Sequence, residues 1–136
     1  MDMKAVNEQV IADFRAGGEI SVEGMHRERL VLLTTTGAKT FTPATVPVMF
    51  TTTEHGILVV ASNDGADDDP QWYRNAVADP VVHVEEPTRE YDGAARVLAQ
   101  KARDAAWKRL IADYPFFVDQ QKNAGRQLPL VEITKT

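Results

Sequence analysis

Few side chains in this chain are of a type and spacing that could do chemistry. The three histidines, His26, His55 and His83, fall in a charged segment, a turn and a β-rich run, without the i,i+4 spacing that sets two imidazoles on one helix face for a metal. Each reads as a structural or solvated imidazole, and no metal site is expected. Asp64, Asp67, Asp68 and Asp69 crowd one stretch. They lack the alternating acids, fixed glycine and closing Glu of an EF-hand loop, so residues 63–69 are expected to form a solvated loop, with Asp69 as N-cap ahead of a first-turn Pro70. The sequence has no Cys, which excludes disulfides, thiolate metal sites and a Cys nucleophile. No G-x-G-x-x-G or G-x-x-x-x-G-K run occurs, so neither a Rossmann fold nor a P-loop is supported.

The elements that must carry these groups follow from periodicity. Met3, Val6, Val10 and Phe14 recur at helical spacing and predict an amphipathic helix over residues 3–16, ended by Gly17-Gly18. Leu30 to Thr36 is an apolar, β-branched run that stops at Gly37 and suits a buried strand. Thr45 to Thr53 and Ile57 to Ser62 flank Glu54-His55-Gly56 as a hairpin, and Val81 to Glu86 with Tyr91 to Leu98 make a second, with Gly93 as a bulge. A short helix is expected over Pro70 to Ala78. Ala106, Trp107, Leu110, Ile111 and Tyr114 mark the buried face of another, which Pro115 interrupts. Phe116 to Asn123 follows as a last helix, and Leu128 to Ile133 as the closing strand. Hairpin-paired strands with helices at the ends and one midway predict an α+β fold, a mostly antiparallel sheet or small barrel of about six strands.

Composition narrows the function classes. A chain of 136 residues with 43% apolar content suits one domain over residues 1–136 with a single core and an N-terminal amphipathic helix. Its 15 basic and 20 acidic residues give a charge of −5, the wrong sign for gripping a nucleic-acid backbone. The first ten residues are charged where a signal peptide would be apolar, and no run approaches the roughly 18 apolar residues of a membrane span. The expected address is the cytoplasm, or the membrane periphery should the stripe of the first helix dock there rather than on the core.

Two segments hold the informative order of residues: Leu30 to Val48, with its glycine turn and with Pro43 and Pro47, and Val59 to Asn75, with Ser62-Asn63 and Pro70-x-Trp72-Tyr73-x-Asn75. In this order and spacing they resemble the deazaflavin-dependent nitroreductase family, also called F-420-dependent quinone reductases. The resemblance covers about residues 7 to 133, including Phe14-Arg15-Ala16 and Leu128-Pro129-Leu130-Val131. It implies a split β-barrel that holds a reduced 8-hydroxy-5-deazaflavin, coenzyme F-420, and passes its hydride to a small hydrophobic, electron-poor substrate such as a quinone, enone or nitro compound. The cofactor carries the hard chemistry and the protein positions it.

The resemblance also implies a site. The loop after the first strand would take the coenzyme phosphate, through Lys39, the backbone N–H groups from Gly37 to Thr40, and the hydroxyls of Thr40, Thr42 and Thr45. Pro47, Ala61, Ser62, Trp72 and Asn75 would border the ring. Ser62 would hydrogen-bond the deazaflavin or the substrate carbonyl and supply a proton, or only end its strand; Trp72 would pack its helix on the barrel while walling the groove. The chain departs from the family at definite places. Where the loop often reads R-K-S-G-K-P-R, residues Ala38-Lys39-Thr40-Phe41-Thr42-Pro43-Ala44 keep one cation, Asp68 replaces a later lysine, and Phe117 and Gln120 stand where tyrosines are common. Two alternatives follow: a noncatalytic barrel with an apolar ligand such as a lipid, and an FMN-binding relative, whose single phosphate needs fewer cations.

Overall fold

The computed structural model describes residues 3–136. Among them six strands close into one antiparallel barrel in the order β1-β2-β3-β6-β5-β4: β1 (Leu30–Thr36), β2 (Pro43–Thr52), β3 (Ile57–Val60), β4 (Val81–Glu85), β5 (Glu90–Val97) and β6 (Leu130–Lys135). Four α-helices pack on or across it: α1 (Met3–Ala16), α2 (Gln71–Ala78), α3 (Gln100–Asp113) and α4 (Phe116–Asn123). The α+β fold with a small antiparallel barrel, expected from the hairpin pattern, and the split barrel that the resemblance implies are the fold observed.

Two strands read as continuous apolar runs because both of their faces are covered. In β1, Val31 and Leu33 join the barrel interior with Val59, Val84 and Ile133. Leu30 and Leu32 face outward, onto Val10 and Phe14 of α1. In β3, Ile57 and Val59 point inward, while Leu58 and Val60 meet Leu110 of α3 and Phe117 of α4. Complete burial of a side chain such as Val10 stabilises the fold by about 1.5–3 kcal/mol, and this holds α1 against the barrel although only Val10 and Phe14 of its residues are buried. The apolar stripe of α1 is thus core packing. Arg15 adds a bidentate bond to Glu85 (3.0 and 2.9 Å) that ties the end of α1 to β4.

Several local expectations need correction. β2 begins at Pro43, which pairs with Thr36, β3 ends at Val60 and β6 runs on to Lys135. Gly93 is no bulge, for Val82 pairs with Gly93 and the register passes through without an extra residue. A glycine is needed because a β-carbon there would come within 2.9 Å of Ile133 Cγ2 and 3.0 Å of the Thr134 carbonyl oxygen. Asp69 does not cap α2; Pro70 holds the N-cap position with no side-chain bond. On the β4–β5 ladder, His83 sits between two carboxylates, Nδ1 at 2.8 Å from Asp92 and Nε2 at 2.9 Å from Glu90. These bonds, Asp92 first, raise the imidazole pKa above its ordinary value against a small opposing effect of burial.

Candidate functional site

A cleft of about 540 Å3 opens between the outer face of β2, the loop after β3, the start of α2 and α4. β2 contributes an apolar strip, Val46 to Met49, because its mid-strand residues are only half covered. Ser62, Gln71, Arg74 and Gln120 supply polar groups at the edges. Two of these have unused capacity: the Ser62 hydroxyl makes no capping bond to the turn that follows it, and Gln120 Oε1 is buried without a partner among the described residues. A buried unsatisfied acceptor costs about 1–3 kcal/mol, so a cleft lined by one favours a ligand that brings a donor.

The loop that presents Ser62 is exposed at Asn63, Asp64 and Ala66 to Asp68, but it is not held by solvent alone. Arg126, from the connection between α4 and β6, reaches into it and donates to the carbonyl oxygens of Ala61 (3.1 Å), Ser62 (3.3 Å), Ala66 (3.3 Å) and Asp68 (3.0 Å). The same guanidinium binds Asp69 at 2.7 Å, which is where the expected capping carboxylate goes. Asp67 accepts from the Gly125 N–H at 2.8 Å. Asn63 and Asp64 both have positive φ, 48° and 56°, a conformation these short polar side chains tolerate at a cost. Asp64 and Asp68 stay exposed at the cleft rim, so the rim carries negative charge.

A second polar feature adjoins the cleft through α2. Asn75 is 1% exposed; its Oδ1 accepts from the Ala38 N–H (3.0 Å) and from Gln71 Nε2 (2.9 Å), and its Nδ2 donates to Thr35 Oγ1 (3.0 Å). This fixes the β1–β2 turn against α2. The turn is tight: Gly37 N–H donates to the Thr42 carbonyl (2.8 Å) and Phe41 N–H to the Gly37 carbonyl (2.9 Å), and a β-carbon at Gly37 would overlap Thr40 Oγ1. Lys39 is exposed at its tip. Arg74, on α2, lines the cleft and donates to Gln71 at 3.2 Å.

Of the ring-bordering residues expected from sequence, Pro47, Ser62 and Trp72 line the cleft. Trp72 also belongs to the barrel core, with its ring edge-on to Tyr73 at 6.3 Å. Ala61 is fully buried one residue behind Ser62, and Asn75 stands behind the β1–β2 turn as its anchor. Gly37, Lys39, Thr40 and Thr42 gather in that turn, outside the lining of the cleft; Thr45 Oγ1 meets Thr34 Oγ1 at 2.7 Å across the ladder. Sequence reasoning missed Gln71, Arg74, Arg126 and the unsatisfied acceptor of Gln120. The spacing of Gln71 and Arg74, three apart on one helix face, was a usable signal. Arg126, alone in a loop, offered none.

Comparison with known proteins is consistent with this geometry. Residues 6–135 match the family model for F420H(2)-dependent quinone reductase. An F420H(2)-dependent quinone reductase of Mycobacterium tuberculosis is 29% identical over 108 residues, 77% of this chain and 72% of the relative. Among solved structures, an F420-H2 dependent reductase superposes with a TM-score of 0.69 at 34% identity, covering 82% of this chain and 100% of that one. A chain described as a domain-swapped dimer superposes with a TM-score of 0.71 at 32% identity, covering 98% of both.

Proposed function

The chain belongs to the F420H(2)-dependent quinone reductase family, and from that premise we propose that it reduces an electron-poor quinone, enone or nitro compound in the cleft beside β2, with coenzyme F-420 as the hydride source. The observation that carries this reading is the cleft itself: an apolar strip for a flat ring, with the Ser62 hydroxyl and an unsatisfied acceptor at Gln120 Oε1 on its edges. The protein residues fit the coenzyme on two counts. Gln120 Oε1 would receive an N–H or O–H, and the β1–β2 turn would receive a phosphate through Lys39 and the hydroxyls of Thr40 and Thr42.

When bound, the reduced deazaflavin supplies a hydride; everything else is the work of this chain. Pro47 and Met49, on the outward face of β2, offer an apolar surface that keeps water off one side of the reacting pair. Trp72, held in the core, gives the cleft a rigid wall. Ser62 Oγ donates a hydrogen bond to the substrate oxygen that gains charge and passes on a proton, which solvent replaces. Asn75 and Gln71 act at one remove by fixing the turn that bears Lys39.

Anaerobic mixing of reduced coenzyme with a simple naphthoquinone, followed by the return of the oxidised deazaflavin absorbance, tests the reading. Turnover is expected, with Lys39→Ala weakening coenzyme affinity in a fluorescence titration. A protein that binds a long-chain fatty acid tightly and gives no deazaflavin response would overturn it in favour of a noncatalytic lipid-binding barrel.

A further inference from the structure

A second cavity, about 230 Å3, continues the cleft on the side away from the β1–β2 turn. The two share Met25, Leu30, Met49 and Phe116, so the apolar surface runs from one into the other without a break. Residues that line the side cavity and not the cleft include His26 and Arg29, which places its polar groups at the far end. Among the described residues no carboxylate lines it. Phe116 is 41% exposed although it is large and apolar, and two methionines give this surface a shape that adapts to its occupant.

Arg29 is the informative residue. Most other arginines of the described residues are engaged: Arg15 with Glu85, Arg89 with Glu86, Arg96 with Glu132, Arg126 with Asp69, Arg27 with the Pro87 carbonyl, Arg74 with Gln71 and Arg103 with the Leu128 carbonyl. Arg109 lines a different cavity, which it shares with the carboxylates of Glu54 and Asp113. The Arg29 guanidinium makes no ion pair or hydrogen bond among the described residues and lies over the Tyr114 ring, 5.7 Å from its centroid. Tyr114 is itself fixed, its hydroxyl donating to the Phe50 carbonyl oxygen at 3.2 Å. A ring face orients a guanidinium while leaving its N–H fork open, and that fork matches a carboxylate or sulfonate.

We propose that the side cavity is a substrate subsite that selects electron-poor carbonyl compounds bearing an apolar arm that ends in an anionic group, with the arm over Met25, Met49 and Phe116 and the anion at Arg29. The inference rests on the reductase reading for the reacting end of the molecule only. The rim acids Asp64 and Asp68 lie on the cleft and not on the side cavity, so an anion is admitted at Arg29 and disfavoured beside the loop.

The test compares a naphthoquinone carrying an alkyl carboxylate with its methyl ester. Binding is measured by calorimetry on wild type, Arg29→Gln and Arg29→Lys without coenzyme, with thermal melts to verify folding. The acid is expected to bind about tenfold tighter than the ester in wild type, the scale of one partly screened charge-assisted hydrogen bond. The preference should vanish in Arg29→Gln, survive in part in Arg29→Lys and narrow as salt is raised. Equal binding of acid and ester by wild type, or a preference that persists in Arg29→Gln, would overturn the subsite. Because no coenzyme is present, an acid preference without later turnover would sink the reductase reading and leave the anion subsite standing, whereas turnover without the preference would do the reverse.

Discussion

Arg126→Met should loosen the cleft loop and destabilise the fold. The change keeps a long apolar stem and removes five donor contacts, of which three are short: to Asp69 at 2.7 Å, to the Asp68 carbonyl at 3.0 Å and to the Ala61 carbonyl at 3.1 Å. Hydrogen bonds to a charged group contribute about 1.5–3 kcal/mol each, but they are not additive here. The Arg126 side chain is 16% exposed and Asp69 35%, so Asp69 regains much of its hydration once released. Breaking a buried pair costs about 3–5 kcal/mol, and this partly wet one should cost about 3, which for a chain of this size lowers the melting temperature by about 10 °C. The left-handed backbone at Asn63 and Asp64 stores of order 1–3 kcal/mol per residue, and without the guanidinium it is free to relax, carrying Ser62 away from the cleft. Circular dichroism melts and hydrogen exchange at residues 61–69 measure the two effects. Arg126→Lys should fall between, since a point charge can reach Asp69 but cannot fork across four carbonyls. A melting temperature within about 3 °C of wild type, together with unchanged exchange in the loop, would refute the role assigned to Arg126.

Three further outcomes are expected. Asp68→Lys should tighten coenzyme F-420 binding by about tenfold or less, because it replaces a rim anion with a cation, and the gain should shrink in high salt; fluorescence titration at two ionic strengths checks this. Asn75→Ala removes the buried partner of the Ala38 N–H and of Thr35, so stability should fall by about 2–3 kcal/mol in urea titrations and coenzyme affinity should fall with it. For His83→Gln the sign follows from the raised pKa. The charged ring stabilises the folded state fully below the unfolded pKa of about 6.5, and this is lost as pH rises through the higher folded value. The difference in melting temperature between wild type and variant should therefore be larger near pH 6 than near pH 9, as roughly measured from that reference pKa. With the ring 37% exposed and its partners more so, it should correspond to less than about 1 kcal/mol.

The alternation of hairpin runs and amphipathic stretches was enough to identify the barrel strands and the four helices, since period-2 and period-3.6 patterns are local properties of the chain. Order and spacing of Pro47, Ser62 and the Pro70 to Asn75 motif pointed to the family, and Pro47, Ser62 and Trp72 do line the cleft. Glycine at 93 was legible as a special position and not as the reason for it: the close approach of Ile133 comes from a strand some 40 residues away in sequence (Ile133 pairs with Ala95). Four aspartates in one run looked like a solvated loop because nothing nearby in sequence neutralises them. The partners of two of them, Gly125 for Asp67 and Arg126 for Asp69, come from the connection between α4 and β6, while Asp64 and Asp68 stay exposed. For Asn75 the sequence allows a contact with the coenzyme or with neighbouring backbone, and the fold brings the Ala38 N–H to its Oδ1. Periodicity and turn chemistry act between near neighbours, so the sequence by itself determined the elements and their faces. Which polar groups satisfy one another, and which are left open toward a ligand, depends on segments that only closure of the barrel brings within hydrogen-bonding distance.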